Sequence, residues 1–163
     1  LAPGVSDVSL PDLAALCDAF TIGGTKCGAL FGEAVIISND LYKEHFRAMM
    51  KRGGGLLAKG RLLGIQFEVL LRDGLYQRIC AAAIGYARDI RAAFAAQGVE
   101  FYGASSTNQQ FPILAREQAD YFRRAFGFAY WQAHGDRHVV RYCTSWATTA
   151  AEVRELIAAI APK

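Results

Sequence analysis

Hydrophobic side chains recur every three or four residues in several stretches of the chain, and that spacing predicts amphipathic helices. The longest stretch covers residues 76–97 and is closed by Gly98. Shorter stretches predict helices at 9–16, 39–50, 56–71, 114–126 and 149–160. Thr149 and Glu152 have the spacing of a capping box, which supports the beginning of the last helix at Thr148 or Thr149.

Short apolar and β-branched runs lie between these helices and predict strands. They cover residues 19–22, 32–37, 100–102, 128–132 and 138–143, with a brief extended run at 109–112. Glycines at 53–55 break the second helix, and Asp73 and Gly74 end the third. Beyond that point the elements become shorter. The pattern therefore predicts a mixed α/β chain with a boundary near residue 74 and a small α+β unit after it.

Composition narrows the class of protein. The chain has 163 residues, 53% of them hydrophobic and 20% charged, which excludes a disordered chain. The net charge of +3 comes from interspersed basic and acidic residues, so nucleic acid is not an expected partner. No apolar stretch approaches the roughly 20 residues that cross a bilayer, so no membrane segment is expected.

The cysteines and histidines do not form a metal-binding pattern. Cys17, Cys27, Cys80 and Cys143 are widely spaced and none stands in a CxxC motif, so we expect no metal site. Buried thiols in a reducing compartment are the simpler interpretation, which predicts a cytoplasmic protein. We expect His45, His134 and His138 on the solvated surface, and the polar segment from Asn108 to Phe111 to fix a loop.

A glycine-rich stretch, residues 23–28, places Lys26 between two predicted strands. Spacing alone leaves two interpretations of this lysine. It is either an exposed hairpin lysine or a desolvated amine that can attack a carbonyl as a Schiff-base nucleophile. A phosphate-binding loop is excluded because the GxxxxGK[ST] spacing is absent and Cys27 follows the lysine.

Two segments together resemble one protein family. One is the Gly-Thr-Lys-Cys-Gly run at 24–28, preceded by Asp-Ala-Phe and followed by a strand, a helix and three glycines. The other is the ending His-Val-Val-Arg-Tyr-Cys-Thr-Ser-Trp-Ala-Thr-Thr at 138–149. In this order they resemble the threonine aldolase and β-eliminating lyase family, which depends on pyridoxal 5′-phosphate (PLP). The resemblance is collinear over nearly the whole chain and covers the C-terminal half of a family member.

The resemblance implies a fold and an activity. The fold is the C-terminal part of the aminotransferase-like PLP-transferase architecture, fold type I. Residues 1–74 would be the end of the large PLP-binding domain. Residues 75–163 would be the small C-terminal α+β domain, an antiparallel sheet with helices on one face. The activity would be retro-aldol cleavage of L-threonine or L-allo-threonine to glycine and acetaldehyde. Other PLP chemistry, β-elimination or transamination, remains an alternative, as does a non-catalytic C-terminal fragment.

The resemblance also implies roles for particular residues. Lys26 falls where the family's lysine forms the internal aldimine with PLP, and Thr25 where a hydroxyl lies near the cofactor phosphate. Arg141 falls where an arginine binds the substrate α-carboxylate, a role that suits a planar guanidinium. Lys59 and Arg61 stand near a position where the family often has an arginine and this chain has leucine. They would either reach the neighbouring subunit's site or lie on a helix surface.

The same resemblance implies an oligomeric protein whose site includes residues outside this chain. Active sites of the family form between subunits, so we expect a homodimer or homotetramer that acts on a small amino-acid substrate. The histidine that stacks on the cofactor ring and the carboxylate that pairs with its nitrogen would precede Leu1. Because the chain begins at Leu1 rather than Met, we expect a cut end, with the N-terminal half possibly present as a separate chain.

Overall fold

The computed structural model describes residues 5–161, and the chain divides into two compact units, 1–79 and 80–163. The division falls inside one long helix, α4 (Leu75–Ala96). None of the helices in the described range is long and apolar enough to cross a bilayer. Leu1, on which the expectation of a cut end rests, lies outside the described residues.

The first unit contains a two-stranded sheet and three helices before α4. They are α1 (Leu10–Leu16), β1 (Ala19–Gly23), β2 (Glu33–Ile37), α2 (Phe46–Arg52) and α3 (Arg61–Leu71). Ser9 caps α1 in a capping box with Asp12, so this helix begins where the sequence predicts. β1 and β2 pair antiparallel along their full length, from Ala19 opposite Ile37 to Gly23 opposite Glu33.

Two predicted helices of this unit are wrong in extent. The helix predicted at 39–50 is interrupted at His45, whose φ of 58° is left-handed, and only a 3₁₀ turn (Asp40–Tyr42) precedes α2. The helix predicted at 56–71 begins only at Arg61. Glycines at 53–55 and at 60 border the missing part, and glycine loses more backbone entropy in a helix than any other residue.

The segment between β1 and β2 is packed closely onto α3. A Cβ on Gly24 would come within 2.6 Å of the Ala29 Cβ and 2.8 Å of the Phe67 Cζ, so only glycine fits there. The Leu30 N–H donates to the Gln66 side chain at 2.7 Å. Ala29 and Phe67 are both buried. Packing on α3 therefore holds this connection in place.

The second unit is built around β6 (Arg137–Cys143), the central strand of an antiparallel sheet. β3 (Gln109–Gln110) and β4 (Ile113–Leu114) pair with one edge of β6, and β5 (Ala129–His134) pairs with the other. The remaining elements are α5 (Arg116–Ala125) and α6 (Ala150–Ile160). The predicted antiparallel sheet is confirmed.

Helices pack on one face of this sheet. The core joins Val140 and Tyr142 of β6 to apolar side chains of three helices and β4. These side chains are Ile90, Phe94, Leu114, Ala119, Phe122, Val153, Leu156 and Ile160. Side chains alternate between the faces of a strand, so Val139 and Arg141 lie on the opposite face. We call it the open face, since Arg141 is partly accessible there, although Val139 is fully buried.

Three boundaries in this unit differ from the prediction. The strand predicted at 100–102 is reduced to a single bridge between Phe101 and Pro112. The helix predicted from Leu114 begins at Arg116, because Leu114 extends as part of β4 and is fully buried. β5 extends to His134 and β6 begins at Arg137, beyond the predicted ends at 132 and 138, so the loop between them contains only two residues. Gly135 has a φ of 61°, which suits the first position of a tight hairpin turn.

The glycine constraint at the β1–β2 connection can be tested by a matched pair of substitutions. We expect Gly24→Ala to lower the free energy of unfolding by about 1–3 kcal/mol, because the new methyl group overlaps Ala29 and Phe67. The control is Gly23→Ala, since the nearest atom to a Cβ there is the Glu33 Oε1 at 3.8 Å. Urea denaturation measures both, and equal stabilities of the two variants would contradict this packing.

The cap of α6 gives a second test. The Thr149 N–H and hydroxyl both donate to the Glu152 carboxylate at 2.8 Å, and these bonds lower the pKa of Glu152. We expect Thr149→Ala to cost about 1 kcal/mol at neutral pH and Thr149→Ser to cost little. A carboxylate with a lowered folded-state pKa stabilises the fold above its unfolded-state pKa, and this contribution disappears as the pH falls through the folded-state value. The deficit of the alanine variant should therefore shrink in acid, and thermal unfolding at several pH values measures it.

Candidate active site

Lys26 lies in the tight turn of residues 25–28 between β1 and β2. The Cys27 and Ala29 N–H groups both donate to the Gly24 carbonyl, at 2.9 and 3.0 Å, which closes the turn. The side chains of Thr25 and Lys26 are exposed and form no hydrogen bond or ion pair with any described residue. Within residues 5–161, then, Lys26 presents an accessible amine on a turn whose backbone is well fixed.

Contacts from α3 and α4 hold this turn in addition to its own hydrogen bonds. The Tyr76 hydroxyl donates to the Gly23 carbonyl at 2.9 Å. Gly28 has a φ of 108°, and a Cβ there would meet the Leu70 Cδ2 at 3.3 Å. The position of Lys26 is therefore set by its neighbours' backbone and packing, while its own side chain remains available.

Arg141 projects from β6 onto the open face of the second unit and is half-buried. Its Cζ lies 5.6 Å from the centroid of the Trp131 ring, and its Nη1 is 3.5 Å from the Gln109 Oε1. Its Nε is buried without a hydrogen-bond partner among the described residues. No carboxylate of the described chain pairs with this guanidinium, whereas Arg137 on the same strand is 2.7 Å from the Glu100 Oε2.

An unpaired, half-buried guanidinium is costly unless a ligand pairs with it. A carboxylate is the natural ligand, since it matches the guanidinium with two parallel hydrogen bonds. Arg141 therefore has the surroundings of an anion-binding residue.

Lys59 and Arg61 are exposed in the first unit. Lys59 lies in the connection between α2 and α3, and Arg61 is the first residue of α3. Neither forms an ion pair with another described residue. Lys26, Thr25, Lys59 and Arg61 thus belong to the first unit, and Arg141 belongs to the second.

Two residues beside Arg141 are missed by the sequence pattern. Gln109 reaches it from β3, and Trp131 reaches it from a bulge in β5 that no sequence signal predicts.

The loop-fixing role expected around Asn108 is confirmed. The Asn108 side chain donates to the Thr144 carbonyl at 2.6 Å, and the Gln110 side chain donates to the Ser105 and Thr107 carbonyls.

The histidines and cysteines depart in part from expectation. His45 and His134 are exposed, but His138 is half-buried against Tyr130, with ring centroids 5.5 Å apart. Of the cysteines only Cys27 is buried, and Cys143 is exposed, so the expectation of four buried thiols is wrong. No group of three or more His, Cys, Asp or Glu side chains within residues 5–161 is arranged to hold a metal ion.

A cavity of about 500 Å³ in the second unit borders Arg141 and the beginning of α6. Tyr142 lines this cavity, and burial raises the pKa of its phenol. Glu152 and Glu155 also line it, and two carboxylates repel an anionic ligand. We therefore place the anion site of Arg141 on the open face, beside Gln109 and Trp131.

The chain as a whole was compared with known proteins. No protein-family model matches the chain. The chain is 32% identical over 144 residues to a low specificity L-threonine aldolase of a Pseudomonas species, and 31% identical over 140 residues to that of Pseudomonas aeruginosa. These alignments cover 88% and 85% of this chain but only 41% and 40% of the relatives.

A solved threonine aldolase structure is similar to this chain in both sequence and fold. The threonine aldolase of Leishmania major matches 98% of this chain with a TM-score of 0.92 and 39% identity, and the match covers 46% of that protein. The chain thus spans less than half the length of the relatives it matches. Over most of its length the chain is similar to threonine aldolases, and it has the fold of the C-terminal part of a PLP-transferase.

Proposed function

We propose that this chain supplies the C-terminal half of a PLP-dependent lyase that cleaves β-hydroxy amino acids. The substrate would be L-threonine or L-allo-threonine, and the products glycine and acetaldehyde. The observation that carries the proposal is the match to the Leishmania major threonine aldolase, at 39% identity over 98% of this chain. The two Pseudomonas relatives, named for L-threonine, support the substrate class.

The turn between β1 and β2 has the side chains that PLP requires. The exposed amine of Lys26 would hold the cofactor through its aldehyde carbon, and the hydroxyl of Thr25 would contact its phosphate. Both groups are without partners among the described residues, so nothing in the chain competes for them. When bound, PLP supplies an electron sink for the carbanion that cleavage at Cα produces.

Arg141 would bind the substrate. Its terminal nitrogens would donate to the α-carboxylate and so hold the amino acid in one orientation. Lys26 would have a second use in this scheme, because its Nζ would accept a proton and return it during cleavage. Binding by Arg141 and proton transfer by Lys26 are therefore the contributions of this chain.

Further protein would complete this site. α3 exposes Leu62, Ile65 and Val69, with 54%, 57% and 49% of each residue accessible, and such a face on a helix is normally covered. We infer that residues 1–74 complete a large domain with the preceding half of the protein, on the same or a separate chain. Residues 75–163 would form the small domain.

We further propose a cytoplasmic homodimer or homotetramer. Lys59 and Arg61 are exposed and without ion pairs, which leaves them available to a neighbouring subunit's phosphate or carboxylate group. Cys17 and Cys143 are not in disulfides, which supports a reducing compartment.

A second candidate is a non-catalytic C-terminal fragment. It is favoured by one observation, the exposure of Lys26 within the described chain, because a Schiff-base lysine is normally surrounded by its cofactor site. β-Elimination or transamination with the same cofactor would use the same two residues, and only product analysis separates these reactions from retro-aldol cleavage.

Borohydride reduction tests the role of Lys26. After incubation with PLP and reduction, peptide mapping should find the pyridoxyl group on Lys26 at lower cofactor concentration than on Lys51, an exposed lysine in the last turn of α2. Lys43 is a further control, because its amine is paired with Asp40 at 2.7 Å. Equal labelling of Lys26 and Lys51 would favour the non-catalytic fragment.

Substitution of Arg141 tests the carboxylate site. In the assembled enzyme, Arg141→Gln should raise the KM for the amino acid on the order of 10- to 100-fold, because a charge-assisted pair is lost. Arg137→Gln is the matched control, since Arg137 lies on the same strand and is already paired with Glu100. Steady-state kinetics measures both. A KM that is unchanged in the Arg141 variant, or raised equally in both, would refute this role.

A further inference from the structure

β5 contains a β-bulge at Trp131. Tyr130 lies opposite Val140 and Gln132 lies opposite Val139, so Trp131 is an extra residue without a partner on β6. A bulge bends its strand and redirects the side chain at that point, and bulges are frequent beside active sites. Here the redirected ring comes to lie beside Arg141, with 5.6 Å between its centroid and the Arg141 Cζ.

The Trp131 ring is itself held in place. It makes an edge-on contact with the Phe111 ring, with the centroids 5.2 Å apart and the planes at 65°. Trp131 remains 47% exposed, so part of the ring faces solvent while part contacts its neighbours. The ring is therefore a fixed surface against which a long side chain can rest.

Arg141 has few other constraints on its orientation. Its Nε is buried without a hydrogen-bond partner in the part of the chain that the structure describes. Because Nε is covered, the two terminal nitrogens are the groups that a ligand can reach. Gln109 is at the limit of hydrogen-bond distance from Nη1, at 3.5 Å. A cation near an aromatic face is attracted by the ring, and a guanidinium is well suited to this contact because it is planar. The Trp131 ring thus limits the directions in which the terminal nitrogens can point.

We propose that Trp131 is a positioning residue for Arg141. It holds the guanidinium so that both terminal nitrogens face the α-carboxylate of an amino acid on the open face. This inference rests on the proposed function in one respect, namely that Arg141 binds that carboxylate. Trp131 acts through Arg141 and needs no contact with substrate or cofactor.

The chain offers a spectroscopic test of this role. The chain has two tryptophans, and Trp146 makes no aromatic or cation–ring contact with another described residue. Trp146→Phe therefore leaves Trp131 as the single tryptophan, which can be excited selectively over the tyrosines. Titration of this variant with L-threonine should change the emission saturably, and L-threonine methyl ester, which lacks the free carboxylate, should not. Arg141→Gln should abolish the response.

Affinity measured by calorimetry separates positioning from packing. We expect Trp131→Leu to weaken L-threonine binding on the order of two- to fivefold, the size of an exposed cation–ring contact. Trp131→Phe keeps an aromatic face and should retain most of the affinity. Circular dichroism of each variant confirms that the sheet is intact.

The outcomes distinguish this inference from the proposed function. Unchanged affinity in Trp131→Leu, or equal loss in the leucine and phenylalanine variants, overturns the positioning role and leaves Arg141 as a carboxylate site. The absence of any carboxylate-dependent binding in the parent chain overturns the carboxylate site of Arg141 and, with it, the positioning role of Trp131. Failure of borohydride to label Lys26, with the tryptophan response intact, defeats the lyase proposal alone.

Discussion

The two-residue period of β6 is the constraint on which the second unit depends. Val140 is fully buried and Tyr142 nearly so, and both lie among the apolar side chains of α4, α5 and α6. A shift of one residue in the pairing of β6 would expose these two side chains and bury Arg141 in their place. Burial of the core therefore determines that Arg141 lies on the open face, where the sheet carries Gln109 and Trp131.

In the first unit, packing of a turn rather than strand register leaves the functional side chain accessible. Lys26 makes no hydrogen bond or ion pair with another described residue, but the turn that carries it is held because Gly24 allows Ala29 and Phe67 to approach the backbone closely. In both units the side chain proposed to react or bind has no ion-pair partner among the described residues, while its neighbours supply the packing. A protein that binds a ligand through an amine and a guanidinium needs this separation, because groups already paired within the chain would have to be released first.

Much of this was accessible from the sequence, and the exceptions have physical causes. The capping boxes at Ser9 and Thr149 and the apolar stripe of α4 are local signals, and the structure follows them. The break at His45 requires a left-handed residue that no pattern announces. The bulge at Trp131 is a property of the pairing between β5 and β6, so the hydrophobic pattern of β5 alone does not predict it. Arg141 could be singled out in advance only through the resemblance of residues 138–149 to the family, whereas the roles of Gln109 and Trp131 beside it could not.

The central claim is that the chain contributes Lys26 and Arg141 to retro-aldol cleavage. It is tested most directly by product analysis of the assembled enzyme, in which this chain is joined to the preceding half of a threonine aldolase and supplied with PLP. The account predicts glycine and acetaldehyde in equal amounts from L-threonine, and loss of both products on Lys26→Ala. Formation of 2-oxobutanoate and ammonia instead, or glycine formation that survives Lys26→Ala, would contradict it.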